Sequence, residues 1–231
     1  MTTADGPDRA DPWTAAVRRR LGLGRLLPLG GPEDGAWIAE RAAAAVLRSA
    51  TADTGAFLEE LRLAWAGSGD SPVSGLPGPP GALPPGPLRI EGAFAATARR
   101  PLPQTAGALR AALLTAAAGR LGLTVREVDL RVTDLLDEEP ARRAEGPDTV
   151  RAAEPEGAAG AAAVRVPGVV ALTRVLGSAV HTGADHVRVE LATARDRRAL
   201  DVARSVRAAV AGALEDGTAV TVLVTAVVDP A

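Results

Sequence analysis

A chain of 231 residues with a net charge of −2 has room for one large domain or two small ones. It contains no cysteine, lysine, tyrosine or asparagine. Its 26 basic residues are therefore all arginine, and 50 residues are alanine. Those absences exclude a thiol nucleophile, a disulfide framework, a thiolate metal site, a Schiff-base lysine and a Walker-type phosphate loop, while 28 acidic residues against the arginines argue against nucleic-acid binding.

Residues 1–35 read as an N-terminal helix and turn segment. Met1 to Asp11 has no apolar run and is not expected to act as a signal peptide. A short helix from Pro12 would end on Arg18-Arg19-Arg20, a cationic end that suits the helix dipole. Gly22-Leu23-Gly24 begins a G-x-G-x-x-G pattern, but Leu27 stands where the third glycine belongs. Pro28, Gly30, Gly31 and Pro32 then predict a turn.

A first module is expected over residues 36–137. It opens with an alanine-rich helix over 36–49, with Ile38, Ala42, Ala45 and Val46 inward, followed by an element at 57–65 ambiguous between strand and helix. Residues 71–87 hold seven prolines and read as a polyproline-like strap. The module continues with a strand at 88–94, a helix carrying Ala106, Leu109, Leu113 and Ala117 on one face, and a strand at 125–137. Residues 138–157, rich in charge, Pro, Gly and Ala, read as a flexible linker. A second module, 158–231, opens with a β-branched strand at 166–176 and a hairpin through 178–185 to a strand at 187–193. An amphipathic helix over 199–214 and a strand at 219–229 complete it.

The two modules resemble one another. Leu88-Arg89-Ile90-Glu91 matches Val187-Arg188-Val189-Glu190, and the segments Leu109 to Leu113 and Val206 to Val210 align in the helices. Val132-Thr133 and Asp137 match Val224-Thr225 and Asp229. The pattern predicts an α/β (α+β) fold made of two copies of a small strand–helix–strand sheet module with helices on one face.

Residues 122–136 and 187–229 resemble the alkaline shock protein family of the Gram-positive envelope stress response. Val166-Pro167-Gly168-Val169 is similar to the family's approach to its first strand. The whole chain, here duplicated, also resembles a group of high-GC Gram-positive proteins that carry a nucleopolyhedrovirus-protein name. The chain departs from the family's Tyr-Gly at the strand–helix turn, having Arg99-Arg100 and Arg195-Asp196 there. The resemblance implies no catalytic or metal site. It implies a scaffold near the envelope, held by a membrane-anchored partner.

The residues that could carry chemistry have structural readings. His181 and His186, with Asp185 between them, sit in a hairpin loop and read as surface histidines rather than a metal pair. No serine lies in a G-x-S-x-G elbow. Glu91 and Glu190 occupy matching strand positions beside Arg89 and Arg188 as neutralising partners, on a structural or solvated face, and Asp137 and Asp229 occupy matching strand ends. No stretch reaches the roughly 18 apolar residues of a membrane span.

The expectation is therefore a non-enzymatic scaffold or adaptor acting through protein–protein contacts or self-association. It would need no cofactor, bind no nucleic acid, and reside in the cytoplasm, peripheral to the membrane through a partner. Arg110, Arg197, Arg204 and Arg207 are the candidate partner contacts, and exposed sheet edges offer a second route. The alternative is a small-molecule-binding regulatory module with a pocket between the two copies.

Overall fold

The structure is a computed structural model, and it describes residues 22–67, 76–138, 150–183, 186–214 and 217–229. The helix expected from Pro12, the Arg18-Arg19-Arg20 cluster, Asp185, residues 71–75 of the strap and residues 139–149 of the linker lie outside them.

In chain order the described elements are β1 (Leu26–Leu29), β2 (Ala36–Ala39), α1 (Glu40–Ala50), β3 (Ala56–Trp65) and β4 (Leu88–Thr97). Then come α2 (Leu102–Ala116), extended by a π turn over Ala117–Leu121, β5 (Val125–Leu136) and α3 (Gly157–Val164). The last are β6 (Val169–Leu172), β7 (Val180–Thr182), β8 (His186–Ala194), α4 (Ala199–Leu214) and β9 (Ala219–Val228). The fold is α/β, with helices packed on mixed sheets.

The first sheet has the order β3-β4-β5, with β3 antiparallel and β5 parallel to β4. The second has the order β1-β2-β9-β8-β6, with β7 also paired to β8. There β8 runs parallel to β9, while β6 and β7 are antiparallel to β8. In each sheet a parallel strand–helix–strand unit is thus flanked by antiparallel pairing on its first strand.

Periodicity explains α4. Ala199, Val202, Ala203, Val206 and Val210 are buried on one arc, which packs on β9, β2 and β8. Burying each valine contributes about 1.5–3 kcal/mol. The two sheets are not independent beads, because their apolar residues form one continuous cluster. α1 touches both β9 and β3, and α2 rests against α1. The Gly30 N–H donates to the Gly122 carbonyl at 3.1 Å, and Arg198 Nε to the Ala118 carbonyl at 2.9 Å.

Several expectations are corrected. Residues 36–39 form β2 rather than the first turn of a helix, because Trp37 and Ile38 are β-formers held between β1 and β9. β2 therefore belongs to the sheet of the second module although it was expected in the first. The turn expected at Pro28 is shifted: Pro28 lies within β1, tolerated because β1 is an edge strand. The segment at 57–65 resolves to strand β3. The strand expected at 166–176 shrinks to Val169–Leu172, and an alanine-rich helix, α3, precedes it. The end of the linker is anchored, since the Ala153 N–H donates to the Leu172 carbonyl at 2.8 Å. The strap also docks. The Leu83 N–H donates to the Leu26 carbonyl at 2.8 Å, and Gly78 packs on the Trp37 ring.

Helices cover one face of the β3-β4-β5 sheet, and its other face bears charges. The second sheet differs: β8 and β9 are buried along almost their whole length, so both of its faces are covered.

Candidate functional site

β5 is the longest strand among the described residues, and its only strand neighbour is β4. One edge of its backbone is therefore unpaired there. Between its two bulges the strand alternates regularly. Glu127, Asp129 and Arg131 share a face with Arg89 and Glu91, while Val128, Leu130 and Val132 share the opposite face with Ile90 and Phe94. Arg89 pairs with Glu91 at 2.9 Å and lies 3.7 Å from Asp129, and Arg131 lies 4.0 Å from Glu60. These pairs are exposed and contribute little to stability. Val132 and Leu135 remain 40% and 54% exposed, which leaves apolar surface along the open edge.

The four expected contact arginines fall in three places. Arg204 grips Asp34 with two bonds, Nε to Oδ1 at 2.7 Å and Nη2 to Oδ2 at 3.0 Å. Arg207 donates to the Glu33 carbonyl at 2.5 Å. Both therefore clamp the β1–β2 turn onto α4 within the chain. Asp34 is buried and also accepts the Gly31 N–H at 2.7 Å. The Arg204 guanidinium, against the opposing effect of burial, holds its carboxyl below the usual range. Arg197 is exposed, with its Nε 4.0 Å from Asp196 Oδ2. Arg110 lies at the β5 edge, its Nη2 3.5 Å from the Val128 carbonyl oxygen.

A half-buried carboxylate, Glu40, opens α1. It accepts from Arg25 Nη2 at 3.1 Å and from the Leu63 N–H at 3.1 Å, tying β3 to the start of the helix. Burial raises its pKa, but these donors win and leave it lowered.

The matched glutamates diverge. Glu91 is 41% exposed on the charged face of β4, whereas Glu190 is 0% exposed inside β8. Glu190 Oε2 accepts the Val175 and Leu176 N–H groups at 2.8 and 3.0 Å, and Oε1 accepts Arg188 Nη2 at 3.3 Å. Burial pushes its pKa up despite these partners. The solvated alternative thus fails for Glu190, and the structural one holds. β9 could have signalled this, because Ala219–Val228 is apolar at nearly every position and a strand of that kind is covered on both faces.

A cavity of about 250 Å³ lies at the end of β4, lined by Asp53, Phe57, Thr97, Arg99, Arg100 and Thr105. It sits within the first unit rather than between the two. The His181 and His186 rings lie tilted to one another across the β7–β8 hairpin, with centroids 6.3 Å apart. Among the described residues no group of three or more His, Asp or Glu side chains could hold a metal ion, and no helix is long and apolar enough to cross a membrane.

Compared with family models, curated proteins and solved structures, the chain matches none.

Proposed function

We propose that this protein is a non-enzymatic scaffold or adaptor of the envelope-stress type, working in the cytoplasm through protein–protein contacts and held near the membrane by an anchored partner. The observation that carries the reading is the outer edge of β5, a twelve-residue strand that among the described residues pairs with a strand on one side only and leaves Val132 and Leu135 exposed. Such an edge is a template for strand addition, in which main-chain hydrogen bonds supply affinity and alternate side chains supply specificity. The buried ionisable groups support this reading, since each has structural partners.

The test places a photoreactive residue at Leu135 and, as a control, at exposed Ala211 of α4, in cells. Discrete protein adducts at Leu135, identified by mass spectrometry and absent at Ala211, support the proposal. The same result at both positions, or none at either, overturns it.

A second reading, a ligand-binding regulatory module, draws on the cavity beside Arg99 and Arg100. Two guanidinium groups there favour an anionic small molecule. A thermal shift with anionic metabolites that disappears in Arg99→Ala/Arg100→Ala would favour it over the scaffold.

A further inference from the structure

The composition of β5 allows its partner to be specified. Because the side-chain period of a strand is two, antiparallel pairing of β5 with a second copy about a two-fold axis sets residue i opposite residue j of the other copy with i + j constant. With Leu130 on the axis, Asp129 faces Arg131 of the other copy, twice by symmetry, and Val128 faces Val132. One step beyond the regular stretch, Arg126 comes opposite Asp134. All of these residues are half-buried or exposed on the open edge.

Slipped registers are worse. Moving the axis to Asp129 keeps two attractive pairs, Glu127 with Arg131, but sets the two Asp129 carboxylates against each other, and moving it to Arg131 opposes two guanidinium groups and leaves Asp129 facing Thr133. An axis between two residues would oppose residues of opposite faces, which a two-fold axis perpendicular to the sheet does not allow. Opposite charges directly across a ladder stabilise it and like charges weaken it, so the register with Leu130 on the axis, which has no like pair, is favoured. The faces also agree. A two-fold axis perpendicular to the sheet continues the Glu127–Asp129–Arg131 face of one copy into the same face of the other, and the apolar face likewise.

We infer that β5 is a homotypic pairing edge, through which two copies of this chain join their three-stranded sheets into one antiparallel-centred sheet of six strands with Leu130 on the two-fold axis. The inference rests on the scaffold reading and deepens it by naming the first partner as the chain itself. Arg110, whose guanidinium donates to the Val128 carbonyl, lies within the pairing edge and releases that acceptor as the ladder forms.

The chain has no cysteine, so single introduced cysteines report the register without background. Facing residues in an antiparallel ladder have Cα atoms about 4.5–5.5 Å apart, within disulfide range. Leu130→Cys in the full-length protein is expected to form a covalent dimer on mild oxidation. Val128→Cys and Val132→Cys should each stay monomeric on a non-reducing gel, and should cross-link when mixed. Sedimentation is expected to show a dimer for the unmodified chain. Asp129→Arg should weaken that dimer about tenfold or more, as two attractive pairs become repulsive, and Asp129→Arg/Arg131→Asp should restore it.

A dimer that forms without the 128–132 cross-link overturns the register. A sedimentation profile that is monomeric at the highest soluble concentration overturns homotypic pairing. In that second case the adducts at Leu135 still decide the scaffold reading, so the two failures are distinguishable. The charge swap covers the case in which a cysteine at 130 disturbs folding, since both of its positions are exposed.

Discussion

Replacing Glu190 by alanine removes the acceptor for two backbone N–H groups and for Arg188 at a site with no exposed surface. Breaking a buried ion pair from one side costs about 3–5 kcal/mol, because the remaining charge stays buried without a partner. The two orphaned amides, at Val175 and Leu176, account for about 1 kcal/mol each within that range or add to it. Against a typical total of about 5–15 kcal/mol this is a large fraction, and it corresponds to roughly 6–20 °C in melting temperature for a chain of this size. Arg188→Met should cost less, because the carboxyl left behind keeps both N–H donors and can take up a proton. Combining Arg188→Met with Glu190→Met should recover the ion-pair share but not the amides, leaving about 2 kcal/mol. Urea unfolding followed by circular dichroism and by the fluorescence of buried Trp37 measures all three. A loss below about 1 kcal/mol for Glu190→Ala would refute the reasoning.

The pH dependence of the same group has a definite sign. Glu190 titrates higher folded than unfolded, so its contribution is fully present below about pH 4 and declines as pH rises through the folded value. Wild type minus Glu190→Gln should therefore fall with rising pH in paired urea titrations. Asp34 behaves oppositely, its contribution being present above about pH 4 and lost as pH falls through its lowered folded value. Asp34→Asn should cost about 1–2 kcal/mol at pH 7, with the difference closing in acid. Arg204→Ala should cost about 1–2 kcal/mol, reduced because the guanidinium is half exposed, while Arg197→Ala should change stability by less than about 0.5 kcal/mol in the same melts. Gly30→Ala should destabilise by at least about 2 kcal/mol, since φ is +73° and a Cβ would stand 2.1 Å from Asp34 Oδ2, and a melt indistinguishable from wild type would contradict that geometry.

What could be read from the chain alone follows how local each signal is. α4 was legible to the residue, because Val202, Val206 and Val210 repeat at helical spacing over sixteen positions. β4 and β8 were legible from the alternation in Leu88-Arg89-Ile90-Glu91 and Val187-Arg188-Val189-Glu190. β2 was not, because Ala36-Trp37-Ile38-Ala39 runs into α1 without a turn residue and its partners lie far off in β1 and β9. The contrast between Glu91 and Glu190 was invisible in the strands that carry them, since those are nearly the same peptide. It arises from what covers each sheet. The β5 edge has the same origin: between its bulges the strand alternates like any half-buried strand, and no local pattern records that among the described residues one of its sides has no neighbour. Arg204 and Arg207 were placed correctly on a helix face, but their partners in the β1–β2 turn come from the other end of the chain.

The pairing of β2 with β9 sets Ala36 against Val222. On a ribosome, the β1–β2 hairpin emerges long before its parallel neighbour has been synthesised, and it waits with its apolar residues uncovered and one side unmatched. Closing that contact spans nearly the whole chain, and such non-local pairings are slow to form and prone to association while incomplete. In the folded chain Gly78 of the strap lies against the Trp37 ring. The hairpin thus acts as a clasp whose catch is made last.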